Sequence, residues 1–196
     1  MVSKASRLLS LTKQRQNDSM EGFSKLSDFH DGYYECEYVA PWTISARNTD
    51  ADLMLISQDW ASADFLNKEK NPKQKEFGQV EGLPTNKTLK KLLNDHMGMA
   101  FSDTYATDAF VFIKNGSMSA PIPFAALVES TKKYALPQIE IVKPKMVICL
   151  GSAPFNAIRR TANLQRMALS EAFKVTTPFH TMHAGVPIFG VAHPGA

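Results

Sequence analysis

Four apolar runs along the chain lack the polar alternation of a half-exposed strand. Apolar runs of this length predict strands that are covered on both faces, as in a parallel sheet with helices on each side. The first run is followed by an amide, a carboxylate and an aromatic ring, those of Gln58, Asp59 and Trp60. The predicted strands lie at residues 52–60, 109–113, 146–150 and 187–192.

Apolar residues at helical spacing separate these runs. The predicted helices cover residues 4–16, residues 86–97 before the stop at Gly98, residues 124–135 before Pro137, and a segment with Ser152 as its N-cap and Pro154 in its first turn. Strands that alternate with helices predict an α/β fold, with three αβα layers around a central, mostly parallel four-stranded sheet. The length fits a single domain, residues 1–196, in which residues 1–40 form an N-terminal helix and an aromatic-rich lead-in.

Two of the predicted strands end in residues that can do chemistry. The first closes on Gln58, Asp59 and Trp60, and the last runs into His193 and Pro194. In open α/β sheets, ligands bind beyond the carboxyl ends of the strands. An imidazole therefore stands where the carboxylate of the first strand could face it.

These strand ends resemble the motifs of the uracil-DNA glycosylase superfamily. Its members pair a strand-end motif of the Gly-Gln-Asp-Pro or Gly-Glu-Ala-Pro-Gly type with a late His-Pro motif. Here Gln58-Asp59 and His193-Pro194 take those places in the same order, and the resemblance covers roughly residues 38–196. It implies a DNA glycosylase-like hydrolase of base excision repair, which cleaves the N-glycosidic bond of a flipped uracil or a related deaminated base. The branch of the superfamily stays open.

The resemblance also implies roles for individual residues. Asp59 would orient water and stabilise the sugar cation, Gln58 would contact the base, and His193 would donate to the departing base. An anion and a donor suit a reaction in which the sugar gains oxocarbenium character and the base gathers negative charge. Without the resemblance, Asp59 equally fits a turn or capping residue, and His193 fits a hydrogen-bonded surface histidine.

The chain departs from the family pattern at the residues that would hold the base. Asp108 stands where the family has an Asn; an ionised carboxylate would repel O4 of uracil, whereas a protonated one could pair with N3 and the exocyclic amine of cytosine. Asp108 could instead cap a turn or pair with Lys114. The stacking Phe of the family matches Thr85, and Phe77 could replace it only if its loop folds back. The predicted substrate contacts are Gln58, Trp60, Thr85, Phe77 and Asp108.

The family's His-Pro motif continues into a loop that inserts beside the flipped nucleotide. The sequence stops at Ala196, soon after its own His-Pro pair. We therefore expect either that the chain is truncated or that this inserting loop is absent, which would make base extrusion harder.

The charge of the chain permits nucleic acid binding without requiring it. Its net charge is +3 and its pI about 8.8. A lysine-rich excursion at residues 67–76 follows the first strand, and it fits either a DNA contact or a solvated loop. The predicted DNA contacts are Lys68, Lys70, Lys73 and Ser152.

Cysteine and apolar content exclude several classes of protein. The two cysteines, Cys36 and Cys149, cannot form a disulfide framework or a four-cysteine iron–sulfur cluster. No apolar run approaches the roughly 18 residues of a membrane span. His180 and His183 have a spacing that binds metal on a helix, but no carboxylate or thiol accompanies them. We expect no metal, no cofactor and no membrane association, and a monomer that binds single- or double-stranded DNA in the cytoplasm, at the nucleoid if the source is bacterial.

Two other functions fit the same sequence. One is a catalytically silent superfamily relative that binds nucleic acid or a partner protein, as Asp108 and Thr85 suggest. The other is an unrelated doubly wound enzyme whose Gly151-Ser152 turn binds phosphate. The chain has no Gly-x-Gly-x-x-Gly or Walker pattern, which counts against the second.

Overall fold

A five-stranded, mostly parallel sheet forms the centre of the computed structural model, which describes residues 2–80, 82–172, 174 and 181–195. The strand order is β2-β1-β3-β5-β4, and only the β4–β5 pairing is antiparallel. The strands are β1 Leu53–Asp59, β2 Tyr105–Phe110, β3 Met146–Leu150, β4 Thr181–His183 and β5 Val186–Val191. The α/β prediction is confirmed.

The prediction of four strands was wrong, because it missed the short edge strand β4. Three residues with no apolar run give no strand pattern, and β4 depends on its hairpin with β5 instead. In the sequence, the spacing of His180 and His183 on this segment is one that could bind a metal on a helix. His183 in fact lies on β4, where its Nε2 is 2.9 Å from Oε1 of Glu140, and His180 lies outside the described residues.

Strand β2 also begins earlier than predicted, at Tyr105 instead of residue 109. Thr107 and Asp108 interrupt the apolar pattern, yet both are buried within the strand. In the parallel register Asp108 lies beside Ser57 of β1, which gives its carboxyl a hydrogen-bond donor. A polar residue that is paired across strands can therefore sit in a buried strand, and the apolar pattern does not reveal it.

The continuous apolar run of β1 reflects burial on both faces of the sheet. Leu53 and Leu55 pack on one side, in a cluster with Trp42, Leu89 and Leu93. Met54 and Ile56 point to the other side of the sheet, where they belong to a second hydrophobic cluster. The other members of that cluster include Tyr134, Ile139, Val147, Cys149, Phe155 and Ile158.

In the described part of the chain, eight α-helical segments surround the sheet. They are α1 Lys4–Asn17, α2 Ala63–Leu66, α3 Pro72–Phe77, α4 Pro84–Met97, α5 Phe124–Ser130, α6 Leu136–Val142, α7 Ser152–Thr161 and α8 Leu169–Ala172. Among the described residues, no helix is long and apolar enough to cross a bilayer. The helix after β3 differs slightly from the prediction, since Gly151 and not Ser152 occupies its N-cap.

The helical stretch from α5 to α6 passes through Pro137 instead of stopping before it. A proline inside a helix lacks an N–H donor and clashes with the carbonyl four residues earlier. Here a π turn, Thr131–Ala135, directly precedes α6 and its early proline. Wider turns of this kind relieve the clash, so the helix continues to Val142.

The N-terminal helix is fastened to the lead-in by a buried arginine. Arg15 of α1 is 1% exposed, and its guanidinium contacts Oε1 of Glu35 at 2.6 Å and donates to the carbonyl of Tyr38 at 3.0 Å. The lead-in itself is irregular, with short 3₁₀ turns at Leu26–Asp28, His30–Gly32 and Pro41–Ser45. A paired arginine thus ties the N-terminal segment to the rest of the fold.

Candidate functional site

A cavity of about 360 Å³ opens at the carboxyl edge of the parallel strands. Asp59 ends β1, Asp108 lies near the end of β2, Leu150 ends β3, and His193 follows β5. All four line this cavity, which we call the base-sized cavity. The remaining lining residues are Trp42, Ser57, Trp60, Phe65, Gln74, Gln79, Val80, Leu83, Thr85, Asn86, Leu89 and Met118.

Asp59 is held on both carboxylate oxygens. The side-chain amide of Gln58 donates to Oδ1 at 2.8 Å, and Nζ of Lys114 lies 2.9 Å from Oδ2. The side chains of Asp59 and Lys114 are only 7% and 3% exposed. The ammonium of Lys114 therefore meets Oδ2, while the amide of Gln58 meets Oδ1.

Asp108 is a buried carboxyl whose pKa is raised to about 7. Burial is the main cause, the negative charge of Asp59 adds to it, and a hydrogen bond from the hydroxyl of Ser57 to Oδ1 opposes it. Its Oδ2 has no hydrogen-bond partner in the described part of the chain. Near neutral pH this oxygen can therefore either donate or accept at the cavity wall.

The raised pKa of Asp108 gives stability a pH dependence that can be measured. The folded state keeps the proton up to about pH 7, whereas the unfolded state releases it near the ordinary value of 3.8. Between these values the folded state binds more protons, so stability falls as pH rises. Relative to Asp108→Asn, we expect the wild type to lose roughly 2–4 kcal/mol of unfolding free energy across this window.

Urea unfolding at several pH values measures this difference. The exposed Asp64→Asn variant is the control, and its curve is expected to run parallel to that of the wild type. If the Asp108→Asn curve runs parallel as well, Asp108 does not hold its proton in the folded state.

His193 presents one ring nitrogen to the tail of the chain. Its Nδ1 accepts a hydrogen bond from the backbone N–H of Gly195 at 3.2 Å. In the neutral ring, the proton then sits on Nε2, which makes that nitrogen a donor. Gly195 has little space, since a Cβ there would lie 2.3 Å from Oγ1 of Thr85. Gly195 thus packs against Thr85, at the start of α4.

Aromatic rings form much of the cavity wall. Trp60 donates its Nε1–H to the carbonyl of Gly78 at 2.8 Å, which orients the indole. Trp42 and Phe65 also line the cavity. The sequence did not indicate either as a site residue, because Trp42 lies on a short 3₁₀ turn and Phe65 on the four-residue α2, and neither segment is long enough to show a periodic pattern. Such walls suit a flat, largely apolar ligand with a few polar groups.

Gly78 allows the segment after β1 to approach the lead-in closely. It adopts a left-handed conformation with φ of 66°, and a Cβ there would lie 2.0 Å from the carbonyl oxygen of Pro41. No other residue type fits this position without displacing backbone.

The lysine-rich excursion at residues 67–76 is not a continuous loop, since α3 occupies Pro72–Phe77.

The other predicted site residues lie around the cavity. Thr85 and Trp60 line it, whereas Phe77 lines a separate depression, so the loop does not fold back as stacking by Phe77 would require. Gln58 and Ser152 line an adjoining cleft of about 570 Å³, which shares Asp59 and His193 with the cavity.

The three predicted DNA-binding lysines are exposed and lie outside the base-sized cavity. They are Lys68, Lys70 and Lys73. Nζ of Lys70 lies 5.1 Å from the ring centre of Tyr33, a cation–π contact that holds it near the surface. These lysines are free to meet solvent or an anion.

No family model and no curated protein matches the chain. Within the described ranges, no group of three or more His, Cys, Asp or Glu residues could hold a metal ion.

Proposed function

We propose that the protein is a DNA glycosylase-like hydrolase, similar to the uracil-DNA glycosylase superfamily, that removes a flipped base from DNA. The observation that carries the proposal is the convergence of Asp59 and His193, from opposite parts of the sequence, on one cavity with aromatic walls. The partner on this proposal is single- or double-stranded DNA. The protein would act as a cytoplasmic monomer, at the nucleoid if the source is bacterial.

The proposed reaction breaks the bond between C1′ of the sugar and the base. The electron pair of that bond leaves with the base, and Nε2–H of His193 donates to the base oxygen where negative charge develops. The carboxylate of Asp59 stabilises the cationic sugar and orients a water molecule. The water oxygen then bonds to C1′, and one of its protons passes to Asp59.

The polar contacts of Asp59 support its role as a positioned anion. Gln58 and Lys114 hold the carboxylate from two sides, which fixes its orientation without rotamer freedom. The ammonium of Lys114 also offsets part of the negative charge, which reduces the stabilisation available to the sugar cation. The water would reach the carboxylate from the cavity that Asp59 lines.

Asp108 would select the base within this proposal. When protonated, its free Oδ2 can donate to a base acceptor, such as O4 of uracil or N3 of cytosine. When ionised, it can only accept and would repel a carbonyl oxygen. The identity of the excised base would thus depend on the charge of Asp108.

A base-release assay with a matched pair of histidine variants tests the proposal. Oligonucleotides carrying uracil, hypoxanthine or cytosine, single-stranded or mismatched, are incubated with the protein, and alkali cleavage reveals abasic sites. We expect release from at least one substrate, and a fall in rate of about 10²-fold for His193→Gln.

The control is His183→Gln, because His183 pairs with Glu140 on β4 and does not line the cavity. That variant is expected to keep the wild-type rate. Absence of abasic product from every substrate would refute the glycosylase proposal.

The Asp59–Lys114 ion pair favours a second candidate, a catalytically silent relative that binds nucleic acid. A carboxylate already paired with a buried ammonium is a weaker stabiliser of a cation than a free one. A silent binder would show DNA affinity that falls with salt, but that is indifferent to Asp59→Asn and to the base present.

A further inference from the structure

A second depression, of about 640 Å³, lies beside the base-sized cavity. We call it the flank groove. It lies among the Pro41–Ser45 turn, α3, α4 and the turn at Phe101–Asp103. The residues used below are Arg47, Glu76, Phe77, Gln79 and Lys90, all of which line it.

Gln79 is shared by the flank groove and the base-sized cavity. It lines both and is 7% exposed. Its Oε1 is buried and has no hydrogen-bond partner among the described residues. Buried polar atoms are almost always paired, so an unpartnered acceptor between two depressions points to a ligand that donates to it. One extended ligand could occupy both depressions and pass Gln79.

The groove carries positive charge that the protein does not neutralise. Arg47 and Lys90 are both exposed, and neither forms an ion pair within the described part of the chain. The guanidinium of Arg47 contacts the hydroxyl of Tyr38, at 3.3 Å, which leaves its charge unopposed. One carboxylate, that of Glu76, also lines the groove, so the balance of these charges is positive.

The groove also presents an exposed aromatic ring. Phe77 ends α3, and the residue is 37% exposed, although large apolar residues are usually buried. Single-stranded nucleic acids bind to surfaces that combine cations for the phosphates with aromatic rings on which bases stack. Arg47, Lys90 and Phe77 supply both elements in one depression.

We propose that the flank groove binds a nucleotide next to the flipped one on the same single strand, with its phosphate at Arg47 and Lys90 and its base against Phe77. This rests on the proposed function, because it places the neighbouring nucleotide in the base-sized cavity. Gln79 accepts a hydrogen bond from the strand where it passes between the two depressions. The occupant is single-stranded DNA, since the stacking ring needs an unpaired base.

Salt-dependent binding of a single-stranded oligothymidylate tests the groove without relying on catalysis. Affinity is measured by fluorescence anisotropy at several salt concentrations for the wild type and for Arg47→Gln/Lys90→Gln. Each lost phosphate contact lowers the salt slope by about 0.7 for a single strand. We expect the double variant, which loses one phosphate contact, to lower the slope by about 0.7, and Phe77→Leu to weaken binding about tenfold with the slope unchanged.

The control is Lys132→Gln/Arg160→Gln, which removes the same two charge types from exposed positions outside the groove. If the salt slope falls equally in both double variants, the DNA is attracted to positive charge anywhere on the surface, and the proposal that the flank groove binds a nucleotide is overturned. Tight binding of an acidic peptide that displaces the oligothymidylate would overturn it as well, in favour of a protein partner. Groove-dependent DNA binding without base release would instead contradict the glycosylase proposal and leave the groove standing.

Discussion

Replacing Asp59 by asparagine is expected to slow base release by about 10³-fold, with little change in the affinity for DNA. The amide keeps the shape of the side chain but carries no negative charge for the sugar cation and cannot accept a proton from water. The loss should therefore appear in kcat and not in KM, because the charge matters most in the transition state. Single-turnover measurement of abasic product, with enzyme in excess, reports the chemical step directly.

The interpretation needs a control for the fold, because Asp59→Asn leaves the ammonium of Lys114 buried without its partner. The variant Asp59→Asn/Lys114→Met removes both charges and should be as inactive as the single variant while unfolding like the wild type. Asp52→Asn removes an exposed carboxylate, one that pairs with Lys145, and should retain full activity. Wild-type release by Asp59→Asn would exclude Asp59 from the chemistry.

Replacing Lys114 by methionine is expected to lower the free energy of unfolding by about 3–5 kcal/mol. Methionine matches the length of lysine but leaves the carboxylate of Asp59 buried, with Gln58 as its remaining donor. The carbonyl of Met118 also loses the ammonium, which lies 2.5 Å away. Urea unfolding measures the effect, and a double-mutant cycle with Asp59→Asn isolates the energy of the pair.

An exposed ion pair provides the comparison for this effect. Lys145 and Asp52 are 2.7 Å apart, but their side chains are 76% and 62% exposed. Lys145→Met should therefore cost less than about 1 kcal/mol. If Lys114→Met costs no more than Lys145→Met, the buried pair does not stabilise the fold in the way that its geometry suggests.

Much of the fold could be predicted, because burial leaves a direct trace in the sequence. The apolar run of β1 follows from burial on both faces of the sheet, whereas β3 and β5 are buried on one face and half-buried on the other. The end of β1 could be located as well, since its apolar residues stop at Ile56, ahead of Gln58 and Asp59. The edge strand β4 could not, because its pairing depends on the hairpin and not on its own composition.

The candidate site was harder to predict, because its contacts join distant parts of the chain. The sequence allows Lys114 to pair with Asp108. In the structure, Lys114 forms its ion pair with Asp59, and Asp108 accepts a hydrogen bond from the hydroxyl of Ser57. The parallel register decides which side chains are neighbours, and no local pattern encodes it. Gln79 could not be predicted as a site residue either. A single amide between two helices carries no signal in the sequence, and only the structure shows that its buried Oε1 lacks a hydrogen-bond partner among the described residues.

The close approach at Gly78 has a consequence for ligand entry. Its carbonyl accepts a hydrogen bond from the indole of Trp60, and its backbone lies against Pro41, so the chain between β1 and α4 is anchored at Gly78. Phe65 and Val80, on either side of this anchor, both line the cavity. A ligand that enters therefore meets a wall whose backbone is already fixed at Gly78, and fixing that part of the wall costs it no binding energy.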